Sequence, residues 1–210
     1  MNTFFIETLP QATAVLIDQF QEKPQSFLHN FYLSGGTALS LQLGHRESED
    51  LDFFSQDIFN PQQLERELSR FGQLSQTELA PGTVNTFLQG VKLQFLEYPY
   101  PLLESTKAFN QIALSSVLDI ACTKLQTIGM RGSKKDFIDL YFLLERYSLS
   151  ELFSATEKKY SQVNYSQTHI LKSLVYFGDA ENQPMPRMHK KVDWEDIKST
   201  IIEKIKNVSF

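Results

Sequence analysis

The feature that most constrains this chain is a pair of like charges in an apolar run, Asp50-Leu51-Asp52-Phe53-Phe54. On a strand, residues two apart share a face, so Asp50 and Asp52 point to one side while Leu51 and Phe53 take the other. Carboxylates roughly 6–7 Å apart repel, and desolvating them beside phenylalanines is costly unless a cation compensates. A divalent ion with a hard oxygen preference, Mg²⁺ or Mn²⁺, does so. A solvated strand end is the other reading of the same pair.

What precedes the pair bears on that choice. Ser34-Gly35-Gly36 leads from a short strand at residues 31–34 into a helix expected over 37–43, with Gly44 as its C-terminal cap. A Gly-Gly entry to a helix exposes backbone N–H groups and the positive end of the helix dipole, which suits phosphate. It also serves as a plain tight turn. Ser34 is either a further phosphate donor or a strand-end polar residue. Arg46 and Ser48 either steady the loop and a triphosphate, or Arg46 pairs at the surface with Glu47 or Glu49. One short helix joins turn to carboxylates, so phosphate donors and metal ligands can be brought together.

Around this stretch the chain reads as mixed α/β, then helical. A helix is expected over 10–20, and Asn60, Pro61 and Gly72 mark the start and stop of another. A strand is expected over 51–55, and residues 83–98 alternate on both sides of Gln89-Gly90, the pattern of a hairpin. After Tyr98-Pro99-Tyr100-Pro101, helices are expected over 115–128, 133–146 and 165–177, with a last one capped by Asp193. Ser116 with Asp119 and Ser133 with Asp136 have capping-box spacing. The division is expected at 102/103, giving a first lobe over 1–102 and a helical lobe over 103–210 that completes a cleft.

Composition narrows the classes. With 210 residues and a net charge of −5, sequence-independent coating of nucleic acid is excluded, though a local basic groove is not. The single cysteine, Cys122, allows neither an intrachain disulfide nor a cysteine-rich zinc site. The absence of a secretory leader pattern or a membrane-length apolar run leads to the expectation of a cytoplasmic protein with no membrane partner.

A second polar cluster falls in the helical half, Leu118 to Tyr147. Lys124 lies beside an apolar stripe, where a lone lysine ordinarily snorkels. Asp136 and Asp139, three apart, share a helix face, and they also read as charges favoured near a helix N-terminus. Arg131, Lys134 and Lys135 form a basic turn suited to phosphate or to solvent.

Together, "SGGTALSLQLGHRESEDLDFF", "IACTKLQTIGMRGSKKDFIDLYFLL" and the tail "VYFGDAENQPMPRMHKKVDWEDIK" resemble the AbiEii/AbiGii nucleotidyltransferase-like toxin family over nearly the whole chain. The resemblance implies an α+β fold, a polymerase-β-type nucleotidyltransferase lobe with a mixed sheet followed by a helical lobe. It implies nucleotide transfer from an NTP, within a toxin–antitoxin or abortive-infection system and beside a cognate antitoxin. Residue by residue, the family's glycine turn falls on Gly35 and Gly36, its metal-binding acids on Asp50 and Asp52, its later lysine on Lys124, and its "KDxxD" acids on Asp136 and Asp139. Lys124 would then face developing negative charge, and either Asp136 or Asp139 would be the functional acid. The acceptor implied is an RNA end, tRNA first, steered by Arg131, Lys134 and Lys135; protein acceptors stay open.

One departure stands out. Many nucleotidyltransferases carry a third carboxylate on a later strand, and here "VKLQFLEY" presents Gln94, with Glu97 on the opposite alternation. A helical-lobe residue substitutes, metal alone activates the acceptor, or the chain is a catalytically silent nucleotide-binding interaction protein. Metal-dependent glycosyl transfer shares the Asp-x-Asp pair but does not require the glycine cradle. Haloacid-dehalogenase-type phosphatases follow their aspartates with Thr or Gly, which "DLDFFS" lacks.

Overall fold

The computed structural model describes residues 4–22, 25–163 and 166–206. Its contacts divide the chain into two compact units, Met1–Ser116 and Val117–Phe210. The boundary falls later than the expected 102/103. Residues beyond Pro101 build two three-residue strands that extend the first unit's sheet.

In the first unit, α1 (Gln11–Gln21) is followed by β1 (Tyr32–Ser34), α2 (Gly35–Leu43), β2 (Leu51–Ser55) and α3 (Pro61–Leu68). Then come β3 (Leu74–Ala80), β4 (Thr83–Leu88), β5 (Val91–Glu97), β6 (Lys107–Phe109) and β7 (Ile112–Leu114). The strands form one mixed sheet in the order β3-β4-β5-β2-β1-β7-β6. β2 runs antiparallel to β1 and parallel to β5.

The local signals explain much of this. Asn60 Oδ1 accepts from the Gln63 N–H at 2.9 Å, capping α3 with Pro61 at its first position. Gly44 ends α2 in the left-handed conformation. Gln89 and Gly90, both at positive φ, turn β4 into β5.

Strands β3, β6 and β7 are absent from the sequence expectation. β3 is a half-exposed edge strand, broken by a register shift between Ser75 and Glu78, so it needs little apolar alternation. β6 and β7 are too short to show a period. Ser115 is not helical but continues the strand connection, its N–H bonding the Leu33 carbonyl.

Alternation along β2 sorts the side chains as expected. Leu51, Phe53 and Ser55 are fully buried. Phe53 stacks on Phe95 of β5 at 4.8 Å between ring centroids, and Phe20 of α1 packs edge-on to Phe71. Burying each such ring contributes roughly 1.5–3 kcal/mol, and this aromatic layer holds β2 firmly from the face opposite its acids.

The second unit contains α4 (Val117–Met130), α5 (Lys134–Leu143), α6 (Leu149–Lys159), α7 (Gln167–Leu174), the single turn α8 (Gly178–Glu181) and α9 (Trp194–Lys206). The expected start of α7 at Tyr165 and the end of the last helix beyond Lys206 lie outside the described residues. α6 went unanticipated, although Ser148 caps it and accepts from the Glu151 N–H. No helix among the described residues is long and apolar enough to cross a membrane.

The same helical unit encloses an ion pair with no counterpart in the sequence expectation. Lys159 Nζ lies 2.7 Å from Asp119 Oδ1, and both side chains are almost wholly buried, at 1% and 2% exposure. Removing one partner of such a pair strands the other charge, which costs roughly 3–5 kcal/mol. Lys159→Met is therefore expected to lower stability by about that much in urea denaturation. The double change Lys159→Met/Asp119→Leu should recover most of the loss; an unaltered single mutant would show that the pair carries no net energy.

Candidate active site

Four consecutive residues at the end of β1 and the start of α2 organise the acidic pair. Ser34 lies opposite Asp52 across the β1–β2 ladder, and its hydroxyl oxygen accepts from Ser115 Oγ at 2.9 Å. It makes no side-chain cap to α2, so the helix's first N–H groups are not spent on it. Gly35 has φ +63°, and a Cβ there would overlap the Asp52 carboxylate. A Cβ on Gly36 would come within 2.7 Å of Arg46 Nη2 and 3.0 Å of Ser48 Oγ. The Thr37 hydroxyl donates to the Asp50 carbonyl and lies 2.9 Å from Ser48 Oγ.

Ser34, Gly35, Gly36, Arg46, Ser48 and Asp52 are thus gathered at one helix N-terminus, with Asp50 tied to it through Thr37. Both glycines are half-exposed in an otherwise buried stretch. The sequence reading took the glycines as room for phosphate. The structure adds that site side chains themselves occupy the space a Cβ would need, and that the positive φ belongs to Gly35. Arg46 is buried rather than a surface partner, its Nη1 donating to the Glu47 carbonyl at 2.8 Å. The Thr13 hydroxyl donates to the Glu49 carbonyl and the Ser48 N–H to the Thr8 carbonyl. Thr13, Thr37 and Ser115 were missed in the sequence, because a threonine or serine in a helix or strand carries no local sign of what it will hold.

Asp50 and Asp52 are half-exposed. Among the described residues the Asp50 carboxylate has no hydrogen-bond or ion-pair partner. A hard, unspent oxygen donor beside a second carboxylate fits Mg²⁺, which is held through one or two carboxylates plus substrate phosphates. No group of three or more His, Cys, Asp or Glu side chains converges among the described residues. The strand register shows why: Ser34, Asp52, Gln94 and Asn85 align across β1, β2, β5 and β4. Gln94 occupies the row of Asp52 and donates through Nε2 to Asn85 Oδ1 at 2.9 Å. Glu97 pairs with Ser55, on the other face.

In the helical unit, considered by itself, Lys124 Nζ sits 2.9 Å from Asp136 Oδ1 and 2.6 Å from Asp139 Oδ2. It is not a snorkelling surface residue. Both acids contact the same ammonium, and the geometry does not single out one of them. Asp136 also accepts from the Ser133 hydroxyl at 2.6 Å. Burial pushes its carboxyl up, but the Lys124 ammonium and the Ser133 bond outweigh this and hold it below its ordinary value of 3.8.

The basic turn needs correction. Lys134 is only 6% exposed: Nζ donates to the Glu181 carbonyl at 2.9 Å and lies 4.9 Å from the centroid of the Trp194 ring. Its charge is folded inward because α8 and α9 supply a carbonyl and an aromatic face. Arg131 and Lys135 stay exposed, with Arg131 Nε at 3.9 Å from Asp136.

A family model described as Nucleotidyl transferase AbiEii toxin, Type IV TA system, matches residues 22–207. The chain belongs to this family. An uncharacterised protein of Aquifex aeolicus (strain VF5) is 37% identical to this AbiEii-family chain over 186 residues, spanning 85% of the chain and 87% of the relative. Among solved structures, MenT4, a nucleotidyltransferase toxin from Mycobacterium tuberculosis H37Rv, is similar with a TM-score of 0.55 at 14% identity, over 92% of this chain and 80% of that one. An H. pylori protein put forward as a nucleotidyltransferase is similar with a TM-score of 0.52 at 19% identity, over 84% and 85%. At such identities the structural likeness establishes the fold. The family establishes the activity: the AbiEii-family chain is a nucleotidyltransferase of the toxin–antitoxin type.

These geometries have three testable outcomes. Gly36→Val should unseat Arg46 and Ser48 and weaken nucleotide binding in a folded protein, as calorimetric titration would show; unchanged affinity would make the turn purely structural. Lys124→Met should remove the ammonium shared by buried Asp136 and Asp139 and destabilise the helical unit by roughly 3–5 kcal/mol in denaturant. Because the Asp136 carboxyl is depressed in the folded state, its stabilising contribution is full above its ordinary pKa of 3.8 and is lost as pH falls through the lower folded value. Asp136→Asn should flatten that acid limb.

Proposed function

We propose that this nucleotidyltransferase moves a nucleotide from an NTP to an RNA end, with tRNA as the first substrate to test. The half-exposed Asp50 carboxylate, without a partner among the described residues, lies beside Asp52 and one contact from a helix N-terminus that Ser34 does not cap, and this carries the reading. In it, the N–H groups of Gly35 and Gly36 and the dipole of α2 hold the outer phosphates. Ser34 borders that cradle, while Arg46 and Ser48 fix the turn and lend positive charge.

Asp50 and Asp52 would hold Mg²⁺ or Mn²⁺, which when bound supplies charge neutralisation for the triphosphate and polarises the reacting oxygens. Lys124, held by Asp136 and Asp139, is the family's lysine in this chain. Gln94, an amide, cannot take the proton of an acceptor hydroxyl. We place the protein in the cytoplasm, with a cognate antitoxin encoded nearby.

A silent nucleotide-binding protein is the second reading, and Gln94 in the row of Asp52 is the observation that favours it. Incubation with each labelled NTP, Mg²⁺ and total RNA separates the two. Label is expected on RNA, sensitive to nuclease and accompanied by pyrophosphate. Nucleotide binding without pyrophosphate release would support the silent reading.

Asp52→Asn should lower turnover by more than the roughly 10–100-fold typical of losing an outer-sphere metal partner. Asp50→Asn should do likewise with folding stability kept or slightly raised, since a like charge is removed. Wild-type turnover at saturating Mg²⁺ in either variant would overturn the metal assignment.

A further inference from the structure

The face of the sheet that carries Asp52 continues past it onto β5 and β4, where Lys92, Phe87, Gln94 and Asn85 lie between Asp52 of β2 and Glu78 of the edge strand β3. Lys92 pairs with Phe87, and Gln94 with Asn85, in the β4–β5 ladder, so all four side chains share one face. Lys92, Phe87 and Asp50 line one groove of about 390 Å³. Lys92, Phe87, Asn85, Gln94 and the exposed Glu78 line an adjoining groove of about 330 Å³. Phe87 and Lys92 form the rib common to both. Phe87 is half-exposed and makes no ring contact among the described residues, while Lys92 is exposed with no ion pair. The single Gln94–Asn85 bond leaves Gln94 Oε1 and the Asn85 Nδ2–H groups unspent.

We infer that this rib is a platform for a single-stranded RNA end, with the terminal base stacked on Phe87, its phosphate at Lys92, and its polar edge at Gln94 and Asn85. The inference rests on the transfer reading above and names where its acceptor lies. Stacking on an exposed aromatic beside a cation is how single strands are held without sequence preference. An unpaired amide acceptor and donor match the mixed edge of any base.

The sheet order supplies the direction. β2, with its acids, lies between β1, which leads into the phosphate-binding turn, and β5. In-line displacement puts the attacking and leaving oxygens on opposite sides of the phosphorus. Pyrophosphate leaves toward the α2 N-terminus, so the attacking hydroxyl arrives from the β5 side. There its oxygen bonds to the α-phosphorus as the bond to pyrophosphate breaks, and its proton passes to solvent.

The test uses the full chain and a short, fluorescently labelled single-stranded RNA. Phe87→Ala should weaken RNA binding roughly 5- to 150-fold, the range for losing one base–aromatic stack, while Phe87→Trp retains it. Lys92→Gln should reduce the salt slope by about 0.7, one single-strand phosphate. In turnover, Phe87→Ala should raise the KM for RNA and not that for NTP. If wild type labels RNA but both variants bind and label it normally, the platform is wrong and the transfer reading survives. If wild type labels no RNA yet loses RNA binding with Phe87→Ala, the platform holds and the transfer reading falls. Label on protein alone, with RNA affinity indifferent to Phe87 and Lys92, would overturn both.

Discussion

The site depends on one missing side chain. Because Gly35 has no Cβ, the Asp52 carboxylate can press against the first residue of α2. Any other residue would push the acid away from the helix end and would also resist the φ of +63°. The contact sets an acid that attracts cations against a helix terminus that attracts anions, and a nucleoside triphosphate with its metal needs both. Neighbouring residues extend the same device. Ser34 is in register with Asp52, Gly36 makes room for Arg46 and Ser48, and Thr37 ties down the Asp50 backbone.

The helical unit follows a different logic, in which two of its buried lysines are matched by acids. Lys159 has Asp119, and Lys124 has Asp136 and Asp139. The ammonium between them offsets the cost of burying two carboxylates three residues apart on one helix. Two carboxylates therefore share one ammonium. An anion approaching it competes with two aspartates. Reading it as an unencumbered cation would overstate its electrostatic reach.

The site within the first unit was legible because its parts lie close in sequence and each has a local sign. The glycine turn, the αL cap at Gly44 and the alternation around Asp52 predict their own geometry. So do Asn60-Pro61 and the Gln89-Gly90 turn. What failed was whatever depends on distant partners. Lys134 looks like a solvated helix-start lysine until Trp194 and the Glu181 carbonyl are packed over it. The edge strand β3 and the small β6–β7 hairpin are specified by neighbours to pair with rather than by their own periods. Lys159 lies in a helix end where lysine is ordinary, and only the fold brings Asp119 to it.

Gln94 links the electrostatics of the acidic pair to the nature of the acceptor. A carboxylate in that row would stand between Asp52 on β2 and Glu78, which pairs with Asn85 of β4, adding to the negative charge of the face proposed for the acceptor. An amide removes that charge and, by bonding to Asn85, turns the position into a polar edge. The cost is the proton acceptor, and a positioned base is typically worth roughly 10²–10⁴ in rate. Repulsion of a polyanion falls while the chemical step slows. Such an exchange favours an acceptor that is hard to bring to an acidic surface, which describes a nucleic-acid end better than a neutral small molecule. The same substitution that weakens the case for fast catalysis therefore strengthens the case for RNA.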